Sequence, residues 1–222
     1  MQALKWSFIM RYKLKIMSVV IPLGMMIIFM YWYQWNAQIL SPYEVNNYME
    51  IIEGQAKNTS ARHDLPALRK FLNEDDGKPI FTVNLYNFHK TANYPKDSGF
   101  YGSGEQAYDR FSEVMISLML KRGAHPIFGS YWSDSSASNW ERIVIVRYRS
   151  RRDLADLFTT KDFAEVSLHK WASIKEHERM LVQATHIPNG IFITAIFAII
   201  MSIIIYMCGR FWCQPRPLLG NK

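Results

Sequence analysis

Two apolar runs near the ends of the chain constrain its fold more than any other feature of the sequence. Residues 16–35 and 187–208 contain no Asp, Glu, Lys or Arg. Roughly 20 helical residues, at about 1.5 Å each, cross a hydrocarbon core of about 30 Å. Because lipid offers no partner for backbone N–H and C=O groups, each run should be helical throughout. We therefore predict transmembrane helices at 16–35 and 187–208. Buried core helices are the alternative interpretation.

Basic residues outside these runs predict the orientation in the membrane. Residues 1–15 hold four basic residues and residues 209–222 hold three, and neither segment has an acidic residue. Lys and Arg accumulate on the cytoplasmic side of membrane spans. We therefore expect both tails, 1–15 and 209–222, in the cytoplasm, and the middle of the chain in the periplasm, in a two-pass protein of a bacterial inner membrane.

The middle of the chain is neutral and free of cysteine. Its basic residues balance the 19 acidic residues, and both cysteines, Cys208 and Cys213, lie at or beyond the end of the second apolar run. The exported part can therefore form no disulfide bond. A neutral exported domain also makes nucleic acid an improbable partner, whereas the lipid bilayer is an expected one.

The exported part divides into a stalk and a domain. Residues 36–77 read as a stalk with short helices at about 42–53 and 65–72, and the first of these helices would rest on the membrane surface or on the domain. Residues 78–186 show strand-like alternation at 79–88, 127–133, 140–148 and 180–185, with helical spacing at 104–123, 151–158 and 161–171. This order, βαββαβ, predicts an α+β, ferredoxin-like domain between the two membrane helices.

One face of such a sheet is covered by its helices, and the other face also carries apolar residues. Exposing that second face would be costly. The sequence therefore predicts a homodimer formed through the sheet face, or pairing with another subunit of a membrane complex.

Several short segments resemble a known superfamily. They are residues 83–85, 103–108, 122–123, 140–150, 163, 169–170 and 179–181. Together they resemble the dimeric α/β-barrel superfamily, in particular a branch of small bacterial proteins of unknown function. The resemblance covers roughly half of the chain. The chain has Glu141, Arg149 and Lys170 where similar sequences tend to have Asp, Pro and Arg. The superfamily includes cofactor-free monooxygenases, haem-degrading and dechlorinating enzymes and members with no known reaction, so the fold alone does not imply one function.

Four polar residues are candidates for a binding pocket between the sheet and its helices, as the resemblance implies. They are Asn84, Tyr108, Arg147 and His169. Arg147 lies on an otherwise apolar strand, so it should either bind an anionic ligand or form an ion pair with a carboxylate of the domain. The candidate carboxylates for such an ion pair are Glu113 and Asp109. Arg147 and His169 are also the candidate catalytic residues, with His169 as a general base.

Other charged clusters have simpler interpretations. Asp162, Glu165 and His169 share one helical face and could hold a metal, but a solvated charged face is the alternative that we favour, so we predict no metal site and no cofactor. The run at 176–178, Glu-His-Glu, reads as solvated. The arginines at 147, 149, 151 and 152 form a basic patch that could face lipid headgroups or an acidic partner.

Two functions are compatible with these features. The first is an accessory or assembly subunit of a membrane protein complex. The second is a small-molecule-binding protein, or a cofactor-free, monooxygenase-like enzyme, that uses the pocket of the domain. The sequence leaves open whether the protein is an enzyme.

Overall fold

The computed structural model describes residues 2–33, 38–58, 64–131, 139–184 and 190–212. In this part of the chain there are seven helices and four strands. They are α1 (Gln2–Tyr33), α2 (Pro42–Asn58), α3 (Leu65–Asn73), β1 (Ile80–Phe88), α4 (Gly104–Leu120), β2 (His125–Tyr131), β3 (Arg142–Tyr148), α5 (Arg151–Phe158), α6 (Lys161–Ser173), β4 (Ile174–Val182) and α7 (Gly190–Trp212).

The chain forms two compact units. One contains both ends of the chain, Met1–Tyr33 and His186–Lys222, and the other is Gln34–Thr185. We call the second one the sheet unit, because all four strands lie in it.

The terminal unit contains the two apolar helices. α1 continues through Pro22, and its segment Tyr12–Tyr33, like Phe192–Arg210 of α7, is long and apolar enough to cross a membrane. Only 11% and 6% of the residues in the most apolar windows of these segments are buried, which argues against the alternative that they are core helices. Residues 34–35 and 187–189 of the predicted spans lie outside the described residues.

The sheet unit is α+β with a four-stranded antiparallel sheet, which confirms the predicted α+β class. The strand order is β2-β3-β1-β4, so β1 and β3 are the central strands. The register pairs Asn84 of β1 with Val144 of β3 on one side and with Arg179 of β4 on the other. α4 begins with a capping box between Ser103 and Gln106, which satisfies backbone N–H groups at its start.

Strand boundaries differ from the prediction mainly in β4. We predicted β4 at 180–185, but it begins at Ile174 and includes the Glu-His-Glu run at 176–178. The prediction failed because this charged run has exposed glutamates on one side, while His177 alone turns inward. β2 begins two residues before its predicted start, and β3 begins two residues after its predicted start. The predicted ends 132–133 and 185 lie outside the described residues.

The segment predicted to be a stalk belongs to the core of the sheet unit. Val45, Met49 and Ile52 of α2 and Leu68 and Leu72 of α3 are all buried in the same hydrophobic cluster as the sheet residues. The reason is that these apolar side chains recur at helical spacing, and α2 and α3 pack against each other and against α5, which agrees with the alternative that the first helix rests on the domain.

Arginines at the start of α5 form ion pairs within the sheet unit and do not form a free basic patch. Arg149 Nη2 lies 2.6 Å from Asp153 Oδ1, and Arg152 Nη1 lies 2.6 Å from Glu44 Oε1. Arg151 Nε lies 4.0 Å from the fully buried side chain of Asp75. These pairs connect α5 to its own cap and to α2 and α3.

The two faces of the sheet have different environments. One face lies under α4 and α6, and Thr82, Asn84 and Tyr86 point to it. The opposite face carries alternate residues of each strand, and it is partly exposed. It includes Val83, Leu85, Phe128, Ile143, Ile145 and Met180.

Candidate functional site

A pocket of about 250 Å³ lies between the sheet and the helices that cover it. Its floor is formed by β1 and β3, and its walls by α4 and α6, with β4 contributing Arg179. Ile116, Pro126 and Gly129 line the pocket and are exposed, so they mark its mouth. The side chains deeper inside are mostly aromatic and apolar, which is typical of small-molecule sites.

Three cationic side chains line this pocket, and no Asp or Glu does. They are Arg142 on β3, Lys170 on α6 and Arg179 on β4. Arg142 Nη1 forms an ion pair of 3.4 Å with Asp109, whose side chain is largely exposed, and its guanidinium lies 4.9 Å from the ring centre of Tyr108. For Lys170 and Arg179 the described residues provide no ion pair.

Lys170 is the most unusual of the three. The residue is 8% exposed, and its Nζ lies 5.1 Å from the ring centre of Trp171, 5.6 Å from that of Phe111 and 6.0 Å from that of Tyr86. Burial, and secondly the positive charge of Arg179, lower the pKa of Lys170 to about 7. At neutral pH a substantial fraction of the amine is therefore neutral.

Tyrosine hydroxyls line the same pocket. The rings of Tyr86 and Tyr108 lie 4.8 Å apart, and Tyr148 follows on β3. Burial raises the pKa of all three phenols above the ordinary value. They therefore stay protonated at neutral pH and can donate hydrogen bonds to a ligand.

Asn84 is held by the sheet and by His177. Its Nδ2 donates to Thr82 Oγ1 at 3.1 Å and to the Val144 carbonyl at 3.2 Å. Its Oδ1 is left as an acceptor 3.2 Å from His177 Nε2, so His177 donates there. The His177 ring also stacks on Tyr86, with 4.8 Å between ring centres. His177 thus supports the pocket from β4, a role that the sequence interpretation missed.

The structure brings together two of the four residues that we predicted for the pocket. Asn84 and Tyr108 line it, whereas Arg147 and His169 do not. In β3 the pocket is lined by residues 142, 144, 146 and 148, so Arg147 points to the opposite face of the sheet. Asp109, one of the proposed partners of Arg147, contacts Arg142 instead. Arg147 and His169 therefore do not converge with Asn84 and Tyr108 on this pocket.

His169 lies on the other side of α6, in an aromatic cluster. Its Nδ1 is 2.8 Å from the hydroxyl of Tyr94, and its ring centre is 4.6 Å from that of Phe100. Burial, followed by the charge of Arg110, lowers the pKa of His169. The lowered pKa favours the neutral imidazole, which shares a hydrogen bond with the Tyr94 hydroxyl through Nδ1. This cluster fastens the loop before α4 to α6.

Asp162, Glu165 and His169 line one surface depression on α6. However, a group of three or more His, Cys, Asp or Glu side chains that could hold a metal ion does not occur in the described part of the chain. These three residues are therefore separate features of an exposed helix face.

Comparisons with known proteins give a fold relationship but no activity. No protein-family model matches the chain, and no curated protein sequence matches it. A crystal structure of methylated RPA0582 protein is 16% identical, with a TM-score of 0.51, and the match covers 59% of this chain and 96% of that one. A second crystal structure, of the RPA0582 protein of unknown function from Rhodopseudomonas palustris, is 15% identical, with a TM-score of 0.51, covering 58% and 98%. At such identities the similarity concerns the fold alone.

Proposed function

We propose that this protein is a two-pass inner-membrane protein whose ferredoxin-like domain, of the dimeric α/β-barrel type, binds a small organic anion in the pocket under α4 and α6. The element order β1-α4-β2-β3-α5-α6-β4 and the strand order β2-β3-β1-β4 support the ferredoxin-like assignment. The observation that carries the function is the pair of cations, Lys170 and Arg179, in a pocket that no carboxylate lines.

Electrostatics make an anion the best-suited ligand. A cation removed from water loses hydration energy unless a charged or hydrogen-bonding partner replaces that water. Neither Lys170 nor Arg179 forms an ion pair within the described residues. A carboxylate or a similar anion in the pocket would supply the missing partner through charge-assisted hydrogen bonds.

The size and lining of the pocket limit the rest of the ligand. A cavity of about 150 Å³ accommodates a benzene molecule. The volume of about 250 Å³ found here therefore suits a ligand with one or two rings. The aromatic side chains of Tyr86, Tyr108 and Phe111 provide flat apolar walls for such rings.

Binding of a model aromatic acid tests this function. We expect 2-naphthoate to bind the full chain in detergent, in equilibrium dialysis corrected for the micelles, and 2-naphthylmethanol to bind at least about tenfold more weakly. Lys170→Met and Arg179→Met should each weaken naphthoate binding by about tenfold or more. Lys161→Met, an exposed lysine on the same helix, is the matched control. Equal binding of the acid and the alcohol would refute the proposal.

The orientation in the membrane rests on the basic tails and on the two apolar helices. With both tails in the cytoplasm, the sheet unit lies in the periplasm. Protease added to spheroplasts should then degrade the sheet unit, and epitopes at either terminus should be protected until the membrane is permeabilised. Protection of the sheet unit from protease would instead indicate the opposite orientation in the membrane.

A separate observation favours pairing through the open sheet face. Phe128 is 50% exposed and Met180 is 43% exposed, and Val83, Ile143 and Ile145 lie beside them on the same face. We propose that this face pairs with a second copy or with another subunit of a membrane complex, in line with the accessory-subunit prediction.

Ile145→Asp tests this pairing because it places a charge in the middle of the face. On native gels of a mild detergent extract it should release a smaller species than the unaltered protein forms. Glu178→Asp, a change that keeps the charge on the same face, is the control. Identical migration of both variants and the unaltered protein would argue against pairing through this face.

A further inference from the structure

Lys170 combines features that a simple anion site does not need. Its amine is buried among the rings of Trp171, Phe111 and Tyr86. It also faces a pocket with room for a ligand, and an ion pair with a carboxylate is absent among the described residues. Arg179 and Arg142 already supply permanent positive charge in the same pocket. Lys170 adds positive charge in its protonated form, and in its neutral form it also provides a nucleophile.

The chemical state of the amine supports this interpretation. An exposed lysine has a pKa of about 10.4, so well under one in a thousand of its molecules is neutral at pH 7. With a pKa of about 7, a far larger fraction of the Lys170 side chains carries a free lone pair. Desolvation and a neighbouring cation are known means by which proteins activate lysine toward carbonyl compounds.

We propose that Lys170 forms an imine with an oxo acid, that is, a carboxylate that also carries an aldehyde or ketone group. This proposal rests on the proposed anion-binding function and specifies its ligand class. Arg179 would hold the carboxylate, because it is the second cation of the pocket that lacks an ion pair within the described residues. The aromatic walls would hold the remainder of the ligand.

The reaction needs no oxidant, reductant or metal. The Nζ lone pair attacks the carbonyl carbon, a C–N bond forms, and the electron pair of the C=O π bond moves to oxygen. A proton moves from nitrogen to that oxygen and gives a carbinolamine. The C–O bond then breaks, the oxygen leaves as water after taking up a second proton, and the nitrogen lone pair forms the C=N bond. The second proton comes from water that enters through the mouth of the pocket, and the hydroxyls of Tyr86 and Tyr108 line the pocket and can donate hydrogen bonds to the departing oxygen.

Reductive trapping tests the proposal on the full chain in detergent. The probe is 4-carboxybenzaldehyde at neutral pH, with cyanoborohydride to reduce the imine to a stable secondary amine. Intact mass spectrometry should show one adduct per chain, and peptide mapping should place it on Lys170. Benzaldehyde, which lacks the carboxylate, should require at least about tenfold more ligand for half-maximal labelling.

Variants separate the nucleophile from the anion site. Lys170→Arg keeps a cation but should lose the adduct, and Lys170→Met should do the same. Arg179→Met should keep labelling at Lys170 but raise the half-saturating concentration by about tenfold. Lys161→Arg and Lys175→Arg change exposed lysines at the start of α6 and on β4 and should label like the unaltered protein. Circular dichroism confirms folding of each variant.

Failure of this inference can be distinguished from failure of the proposed function. If 2-naphthoate binds but 4-carboxybenzaldehyde leaves Lys170 unmodified, the imine proposal is wrong and the anion site stands. If benzaldehyde labels Lys170 as readily as its carboxylate analogue and naphthoate does not bind, the anion site is wrong. Labelling spread over exposed lysines at neutral pH would overturn the assignment of Lys170 as the nucleophile.

Discussion

Two groups of cations in the sheet unit have opposite surroundings. Arg149, Arg151 and Arg152, around the start of α5, each lie within 4.0 Å of a carboxylate. Lys170 and Arg179, in the pocket, have no such neighbour among the described residues. Both groups are at least partly removed from water, so the difference is one of partner and not of burial.

This difference indicates separate roles. The α5 arginines connect helices that are far apart in sequence: Arg152 contacts Glu44 of α2, and Arg151 contacts Asp75 in the turn after α3. Their partners come from the same chain, so their role is structural. Among the described residues, Lys170 and Arg179 have no carboxylate within 4.0 Å, so we expect a ligand to supply the anionic partner. If so, replacing the α5 arginines or their partners should lower the stability of the sheet unit, and replacing Lys170 or Arg179 should weaken ligand binding.

Loss of the Asp75 carboxylate should give the largest effect on stability. Asp75 accepts hydrogen bonds from the backbone N–H groups of Leu40 at 2.9 Å and Gly77 at 3.1 Å, and it lies beside Arg151. Asp75→Ala would leave the two N–H donors without this acceptor and Arg151 without its carboxylate, although Arg151 keeps its hydrogen bond to the Phe71 carbonyl, and such a loss typically costs about 3–5 kcal/mol. Urea-induced unfolding of the full chain in detergent measures this cost.

Glu74→Ala is the matched control for Asp75→Ala. Glu74 is the neighbouring carboxylate, but it is exposed, and its contact with Lys70 is 4.0 Å long. We expect a change within about 0.5 kcal/mol. If Asp75→Ala were equally mild, the α5 contacts would not be structural, and the comparison between the two groups would fail.

Lys170→Met should have the opposite effect and raise the free energy of unfolding. Methionine has a similar length and no charge, so it removes the desolvation cost of the amine, and we expect a gain of about 1–2 kcal/mol in unfolding free energy at neutral pH. Lys161→Met, on the exposed end of α6, should change little. A loss of stability on replacing Lys170 would place it with the structural group.

The pH dependence sharpens this prediction. Because burial lowers the pKa of Lys170 to about 7, the unfolded chain holds the proton more tightly than the folded chain between about pH 7 and pH 10. The stability of the unaltered protein should therefore rise from about pH 7 to about pH 9.5, and Lys170→Met should lack this rise. Above that range the buried tyrosines oppose it, since their raised pKa values make ionisation favour the unfolded chain.

The sequence predicted elements well where local pattern is decisive. β1 and β3 alternate regularly, and Ser103, Ser150 and Thr160 are N-caps from which α4, α5 and α6 begin as predicted. β4 was only half recognised, because its first residues are charged on the exposed side. Local patterns of this kind carry no information about the pairing of the helices 42–58 and 65–73 with α5, which depends on contacts distant in sequence.

The candidate site was harder to predict, because it depends on which face of each strand turns inward. Alternation placed Arg147 with Ile143 and Ile145, but the antiparallel register puts Val144, opposite Asn84, on the pocket face. The register is a tertiary property, so the sequence alone could not exclude Arg147. In the sequence, Lys170 stood out only because it follows His169 in one of the segments that resemble the dimeric α/β-barrel superfamily. Its importance comes from its burial with no carboxylate within ion-pair distance among the residues that the structure describes, and only the structure displays this.

The partly exposed pair between Arg152 and Glu44 should give the smallest effect on stability among the ion pairs of α5. Two hydrogen bonds of 2.6 and 3.2 Å join the guanidinium to the carboxylate, and they are the main reason that the pKa of Glu44 falls to about 2. Glu44 is nevertheless open to solvent, which screens the interaction. A double-mutant cycle of Arg152→Ala and Glu44→Gln should therefore give a coupling of about 0.5 kcal/mol at neutral pH.

The lowered pKa of Glu44 means that this coupling persists as the pH falls below the ordinary carboxylate range and disappears only near pH 2. A coupling above about 2 kcal/mol would show that exposed pairs stabilise this unit as strongly as the buried Asp75 contacts, and burial would then no longer separate strong from weak ion pairs in α5.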